Sequence, residues 1–322
     1  MLSKYIAQDI ESQLIPLARD LIQQHVLPEA STNADLIIRS GRWKHEQRRE
    51  LMELLAARNQ RFYDDPDDAL EHIPIYHQWG IITHSKKFQE YFQGEVFSLL
   101  KKWQIESSVS DLLAEKIDGI SKRDLLNILI LAHDTGKFQV RNWRLDRLGR
   151  LQANFRPHEE ASGTVIRNFI APHLQQKYHF TPAQTEYIAR GAELHYVLGI
   201  MRNEAKKSEL GYNFRFLHSS RFLEIVEKII KDYHSFALEI GLLFLGDSLA
   251  KNEFRLEAET DEEIQRQQQK AARMLAEHQP PLPSELVFAV KQMPINIKVV
   301  ELYLKRLYWT QEFGQCAKIS NI

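Results

Sequence analysis

The sequence predicts an all-α protein, and three observations lead to this prediction. Apolar residues recur every three or four positions along most of the 322-residue chain and seldom alternate as they do in strands. Glycine is scarce, at 13 residues. The runs 125–132 and 236–250 are apolar on nearly all sides, which is typical of helices buried in a core. We therefore expect helices throughout and no strands.

Each helix is predicted from its apolar spacing and from the residues that start or stop it. Residues 1–30 form the first, with Pro16 kinking or dividing it and Pro28 ending it. The second covers about 43–62 and stops at the acidic run 64–68, which is typical of a solvated turn and a helix cap. Further helices are predicted over about 79–103, 108–117, 121–134, 157–170, 181–198, 220–234, 236–250, 261–277, 285–291 and 295–309.

Composition limits the class of protein. The chain has 42 Lys and Arg against 43 Asp and Glu, so no general basic field attracts nucleic acid. No apolar segment approaches the roughly 20 residues of a membrane span. The single cysteine, Cys316, excludes an internal disulfide and is typical of a reducing compartment. We expect a cytoplasmic protein with no membrane segment.

His133 and Asp134 end the first apolar run, and their position suggests a metal site. A buried carboxylate needs a compensating partner, and a metal ion is the strongest one available. Gly136 is expected to take the left-handed cap conformation that ends the helix, so that both side chains can reach one ion. Asp247 lies deep in the second apolar run and presents the same problem.

Three more histidines lie on or near predicted helices, and any one of them alone would be interpreted as a core histidine. His84 shares an apolar face, His158 lies in a first turn, and His195 lies near a helix end. With the pair above and Asp247 they form the ordered pattern H, HD, H, H, D. Six such residues in order favour metal binding over a set of core histidines and capped acids.

The segment 141–150 places arginines every third residue. Arginine forks match phosphate oxygens, so Arg141 and Arg144 are candidates for holding a substrate phosphate. A solvated face paired with acidic neighbours is the alternative interpretation. If the segment is helical, its arginines spread over one broad side.

Over about residues 75–255 the chain resembles the HD superfamily of metal-dependent phosphohydrolases. Four features carry this resemblance: Thr83-His84-Ser85, the word His-Asp-Thr-Gly-Lys at 133–137, His-Glu-Glu-Ala-Ser-Gly at 158–163, and Asp247. It implies a helical-bundle domain over 71–259, with an N-terminal helical extension at 1–70 and a C-terminal helical segment at 260–322. The Gly-Tyr-Pro extension of cyclic-di-GMP phosphodiesterases is not evident.

The resemblance also implies roles for single residues. Asp134 matches a ligand that bridges two ions, and Lys137 matches the family lysine beside the metals that can meet a phosphate oxygen. These two are the predicted catalytic residues. The implied metal ligands are His84, His133, Asp134 and Asp247 for a first ion, and His158 and His195 with Asp134 for a second.

The chemistry of this ligand set can be argued from the residues alone. Four neutral imidazoles and two carboxylates around two divalent ions leave a positive charge that attracts phosphate. Imidazole-rich ligation suits one or two ions of Mn, Fe, Co, Ni or Zn better than Mg, which prefers oxygen ligands. Water activated by such ions can attack phosphorus directly.

Three functions follow, in order of support. The first is a phosphohydrolase acting on a mono- or diester, on a small phosphate-containing substrate such as a nucleotide or related metabolite. The second is an HD nuclease on single-stranded nucleic acid, motivated by the arginine segment and disfavoured by the neutral net charge. The third is a non-catalytic signalling or interaction module. The flanking segments 1–71 and 260–322 motivate this third function, because they could form an interface, and retention of all six ligands disfavours it. A homo-oligomer is left open.

Overall fold

The structure of the protein is a computed structural model that describes residues 2–41, 43–145 and 149–309. Arg147 of the arginine segment and Cys316 lie outside the described residues. Within the described ranges no helix is both long and apolar enough to cross a bilayer.

The described residues are mostly helical, which confirms the predicted all-α class. The helices have the following bounds: α1 Leu2–Leu21, α2 Ala30–Arg39, α3 Arg48–Asp64, α4 Ile81–Gln93, α5 Glu95–Lys102, α6 Glu106–Ala114, α7 Lys122–Ala132, α8 Lys137–Val140, α9 His158–Val165, α10 Ala171–Tyr178, α11 Pro182–Leu194, α12 Ile200–Lys207, α13 Phe214–Leu217, α14 Ser220–Asp232, α15 Ala237–Ala250, α16 Asp261–Glu277 and α17 Val287–Trp309.

Two short antiparallel hairpins correct the expectation that the chain has no strands. Strands β1 (Lys116–Ile117) and β2 (Ile120–Ser121) form the first, and β3 (Asn142–Leu145) and β4 (Leu151–Asn154) form the second. The helical alternative for the arginine segment is therefore wrong over β3. Burial of Trp143 explains the difference, because a strand turns this ring inward while Arg144 beside it stays exposed.

Several helix boundaries also differ from the prediction, and α2 and α12 lie where no helix was predicted. The helix expected over 79–103 divides at Gly94 into α4 and α5. The first helix continues through Pro16, and the two short C-terminal helices form one helix, α17, that contains Pro294. Pro294 is buried, so packing around it offsets the backbone hydrogen bond that a proline removes.

The chain forms two compact units that are each built from two stretches of sequence. Unit 1 comprises 1–86 and 125–193, and unit 2 comprises 87–124 and the chain from 194 onward. The chain passes from one unit to the other within α4 and α7 and at the end of α11. The domain boundaries expected near residues 70 and 260 stay predictions.

The core of unit 1 includes the apolar part of α7, in which Leu125 and Leu129 are fully buried. Helix α11 approaches this helix closely at Gly191. A Cβ atom built on Gly191 would lie 2.0 Å from Cδ1 of Leu129. Because glycine has no side chain, the two helices can pack tightly here, and this contact fixes α7 and its C-terminal end.

The core of unit 2 is organised around α15, every residue of which is buried. Helix α17 packs against α15 at Gly241. A Cβ atom built on Gly241 would lie 2.6 Å from Cδ2 of Leu304 in α17. The Tyr303 hydroxyl donates a 2.9 Å hydrogen bond to the carbonyl of Ala237. Asp247 lies inside this helix and is 3% exposed.

The start of α4, the helix that carries His84, is capped by Asp67 from the acidic run. Asp67 Oδ1 accepts hydrogen bonds from the backbone N–H groups of Ile82 at 2.7 Å and Thr83 at 2.9 Å. Its Oδ2 accepts from the Thr83 hydroxyl at 2.5 Å. No helix begins at the acidic run itself, and Asp67 instead caps α4, which begins fourteen residues later.

Replacing Asp67 with Ala should lower the free energy of unfolding by about 1–2 kcal/mol, because the first N–H groups of α4 lose their acceptor. Denaturant unfolding followed by circular dichroism measures the change. Asp20→Ala is a matched control, since Asp20 is exposed on α1. Equal stability of the two variants would contradict the capping role.

Candidate metal centre

The centre of the site is the turn that follows α7 and precedes α8. Thr135 N–H donates to the carbonyl of Ala132, and Lys137 N–H donates to the carbonyl of Asp134, so the turn keeps a helical course. Gly136 has φ −63° and ψ −20°, so the predicted left-handed cap is wrong. His133 and Asp134 nevertheless lie at the helix end and are buried, as the sequence predicts.

Gly136 is needed because helix α9 lies directly against it. A Cβ on Gly136 would lie 2.3 Å from the backbone nitrogen of Ser162 and 2.5 Å from the carbonyl oxygen of His158. The Gly136 N–H also donates a 3.0 Å hydrogen bond to the Ser162 hydroxyl. This close approach brings the first turn of α9, and with it His158, to the end of α7.

Three histidines of unit 1 surround the Asp134 carboxylate. The Nε2 atoms of His133 and His84 lie 3.3 Å and 3.8 Å from Asp134 Oδ2. The Nε2 atom of His158 lies 3.4 Å from the other oxygen, Oδ1. The separations of 3.3 Å and 3.4 Å match the distance between two ligands of one ion, which is about 3–3.5 Å for ligands held at about 2.1 Å, and the separation of 3.8 Å is longer. The ligand atoms of His84, His133 and Asp134 lie within 4.8 Å of one another and could hold a metal ion.

The hydrogen bond of His133 orients its ring for this role. Its Nδ1 lies 2.7 Å from the carbonyl oxygen of Ile130, which can only accept a hydrogen bond. Nδ1 therefore carries a proton, and in the neutral ring Nε2 is left with the lone pair that a metal ion needs. Metal-binding histidines are commonly held by such a bond from the second ring nitrogen.

His158 has an acidic neighbour that could serve the same purpose. Its Nδ1 lies 3.3 Å from Glu159 Oε2, on the side of the ring away from the Nε2 that faces Asp134. Burial raises the pKa of Glu159. At 3.3 Å the Glu159 carboxylate is close enough to orient the His158 ring.

Lys137 lies at the same carboxylate and is held from two sides. Its Nζ is 2.6 Å from Asp134 Oδ2 and 3.0 Å from Nε2 of His72. His72 Nδ1 lies 2.9 Å from the Trp79 carbonyl oxygen, so Nδ1 is the donor and Nε2 accepts from the ammonium group. Burial and the charge of Lys137 lower the pKa of His72 well below its ordinary value, which keeps this ring neutral.

His72 and its stacked neighbour His77 were missed in the sequence, although they belong to the surroundings of the site. Their ring centroids are 3.9 Å apart, and the ring of His77 lies 4.8 Å from that of His84. Both lie between α3 and α4, where no apolar period identifies a helix. Two histidines shortly before His84 in sequence were the available signal.

Charge keeps Asp134 ionised in the core. Burial by itself raises the pKa of this carboxyl group, but its interactions with His133 and Lys137 outweigh burial. Together they hold the pKa of Asp134 well below its ordinary value. An ionised carboxylate at depth is the form that binds a cation.

The two remaining predicted ligands belong to unit 2, and both are buried there. His195 follows directly on α11 and is 1% exposed. Asp247 lies within α15, and its Oδ2 is 2.8 Å from Nζ of Lys251. Their roles as ligands stay predictions from the sequence.

The two phosphate candidates of the arginine segment differ in their surroundings. The guanidinium of Arg141 is fully buried, forms an ion pair with Glu71, and lies 4.3 Å from the ring centroid of Phe62. Burial lowers the pKa of Arg141 to about 10. Arg141 therefore has a structural partner, whereas Arg144 is exposed on β3.

The fold and this cluster define a helical protein with a buried His/Asp site that could bind metal, which is compatible with an HD-like centre. Such a site is consistent with a metal-dependent enzyme. No protein-family model and no curated protein sequence matches the chain. The assignment to this class therefore depends on the geometry of the site.

Replacing Gly136 with Ala should destabilise the protein by about 1–3 kcal/mol and reduce bound metal, because the new Cβ must push α9 and His158 away. Denaturant unfolding and elemental analysis measure the two effects. Gly94→Ala is the control, since the nearest atom to its added Cβ is 3.6 Å away. If both alanine variants match the unsubstituted protein, the close contact does not position the site.

Proposed function

We propose that this chain is a metal-dependent phosphohydrolase that hydrolyses a phosphate mono- or diester of a nucleotide or related small metabolite. One observation carries the proposal. The buried Asp134 carboxylate has three histidine nitrogens within 3.8 Å and the ammonium group of Lys137 at 2.6 Å. The sequence pattern adds His195 and Asp247 to the proposed ligands.

The donor set fits divalent ions of the middle and late first transition row. Imidazole nitrogens with carboxylate oxygen suit Mn, Fe, Co, Ni or Zn, whereas Mg favours oxygen ligands. When bound, one or two such ions supply Lewis acidity towards a phosphoryl oxygen and lower the pKa of a coordinated water molecule. Asp134 and the histidines around it would hold the ions.

Lys137 supplies a positive charge that belongs to the protein itself. Its ammonium group has three donors, of which one is directed at Asp134 and one at His72. The third can bind a phosphate oxygen and stabilise the charge that builds on it during attack. Because His72 and Asp134 fix the Nζ position, little reorganisation is needed when a phosphate binds.

The nuclease alternative has less support than the phosphohydrolase. It was motivated by the arginine segment, and Arg141 of that segment is buried against Glu71. The net charge of −1 provides no broad basic surface for a phosphate backbone. A small substrate needs only local positive charge, which Lys137 supplies.

Asp134→Asn should lower kcat at least about 100-fold. Loss of a residue that only hydrogen-bonds to a metal ligand already costs about 10- to 100-fold, and Asp134 is proposed to be a ligand itself. The assay uses nucleotides and phosphodiesters with Mn, Co, Ni or Mg added in turn, together with elemental analysis of the purified protein. Asp20→Asn, at an exposed position of α1, is the control. Undiminished hydrolysis by Asp134→Asn would exclude the proposed centre.

His72→Phe should lower kcat by about 10- to 100-fold at saturating metal, because Lys137 loses one of its two fixed partners. Bound metal should be unchanged, which separates this effect from loss of a ligand. His72→Gln should recover part of the rate, since its amide oxygen can accept from the ammonium group. A lower metal content with an unchanged kcat would show instead that His72 acts on the ions.

A further inference from the structure

Unit 2 contains a rigidly placed aromatic ring directly after His195. The ring of Tyr196 lies 5.6 Å from that of Phe244, centroid to centroid. A Cβ on Gly199 would lie 2.2 Å from Cε1 of Tyr196, so the ring rests on the backbone of that glycine. Packing on these two sides leaves the ring little freedom.

Two cationic groups lie close to this one ring. Nζ of Lys251 is 5.0 Å from the Tyr196 centroid, and Cζ of Arg202 is 5.9 Å from it. Arg202 also lies 5.6 Å from the centroid of Tyr212. These distances are in the range of cation–π attraction, which brings like charges near each other on a shared aromatic surface.

A chain of hydrogen bonds holds Arg202 in position. Arg202 hydrogen-bonds to the phenol of Tyr212. The Tyr212 hydroxyl donates to Asn296 Oδ1 at 2.7 Å, and Asn296 Nδ2 donates to the Ser248 hydroxyl at 3.1 Å. Burial raises the pKa of Tyr212, so its hydroxyl stays protonated and remains a donor. The guanidinium group is thereby anchored to α15 one residue from Asp247.

Lys251 is also tied to α15. It is 6% exposed, and its Nζ is 2.8 Å from Oδ2 of Asp247, four residues earlier in the chain. A carboxylate has about four acceptor positions, so Asp247 can bind a lysine and a further cation together. With two cations and one carboxylate, this group of side chains carries a net positive charge.

We infer that Tyr196, Arg202 and Lys251 form an anion-binding subsite for the phosphate chain of a nucleoside di- or triphosphate. A guanidinium fork binds two phosphate oxygens at once, and an ammonium group adds a point charge. Together they match the dianionic charge of a phosphate better than the single charge of a carboxylate.

The place of the subsite in the sequence agrees with such a ligand. Tyr196 adjoins the predicted ligand His195, and Lys251 lies one helical turn beyond the predicted ligand Asp247. The view that the bound anion is part of the substrate rests on the function proposed above. The anion-binding site itself does not depend on that function.

The test measures binding of inorganic triphosphate to the full-length chain by calorimetry, with EDTA present so that no metal-dependent hydrolysis occurs. Arg202→Gln should weaken binding about 10- to 100-fold, as expected for loss of a charge-assisted hydrogen-bonding group. Binding to the unsubstituted protein should also weaken as salt rises. Arg273→Gln, at an exposed arginine of α16, is the matched control and should bind normally.

Tyr212→Phe provides a second variant that retains every charge. It should weaken triphosphate binding several-fold through loss of the hydrogen bond that anchors Arg202. Circular dichroism establishes that each variant is folded. Folded Arg202→Gln or Tyr212→Phe protein that binds triphosphate as tightly as Arg273→Gln would overturn the inference. Succinate bound as tightly as triphosphate would overturn the assignment to phosphate.

These outcomes are separate from the fate of the proposed function. A chain that binds triphosphate through Arg202 and hydrolyses no phosphate ester supports the subsite and excludes the phosphohydrolase. If the protein hydrolyses phosphate esters and Arg202→Gln binds triphosphate with unchanged affinity, the phosphohydrolase is supported and the subsite is excluded. If the protein hydrolyses phosphate esters and the subsite binds the substrate, Arg202→Gln should raise KM for nucleoside triphosphates and change KM for phosphate monoesters little.

Discussion

Burial of the Asp134 carboxylate is the constraint on which the rest of unit 1 depends. An ionised carboxylate in a core costs several kcal/mol unless cations or hydrogen-bond donors surround it. Lys137 lies at 2.6 Å and three histidine nitrogens lie within 3.8 Å. Among these groups, His84 and His133 could also hold a metal ion together with Asp134, so stability and binding depend on one arrangement.

The surrounding structure places these groups through close backbone contacts and caps. Gly136 lets α9 approach the end of α7, and Gly191 lets α11 approach its middle. Asp67 fixes the start of α4, and with it the helix that carries His84. None of these residues need touch a metal ion or a substrate, yet each determines where a candidate ligand lies.

Asp134 and Asp247, the acids of the two apolar runs, each lie next to a lysine that is close in sequence. Lys137 follows Asp134 by three residues, and Lys251 follows Asp247 by four, so each carboxylate has a lysine on the adjacent helical turn. Each lysine is itself buried and has a second neighbour, which is His72 for Lys137 and the Tyr196 ring for Lys251.

The sequence by itself determined the helical class, the burial of Asp134 and Asp247, and the first-turn position of His158, because apolar periodicity and a few start and stop residues are local signals. It also identified His84 and His133, which lie at the Asp134 carboxylate. Only the tertiary structure decided that His72 holds Lys137, that Arg141 is buried with Glu71, and that Gly136 serves a close contact instead of a left-handed cap. These depend on partners far away in sequence, 65 residues for His72 and 70 for Glu71, and no local pattern records such distances.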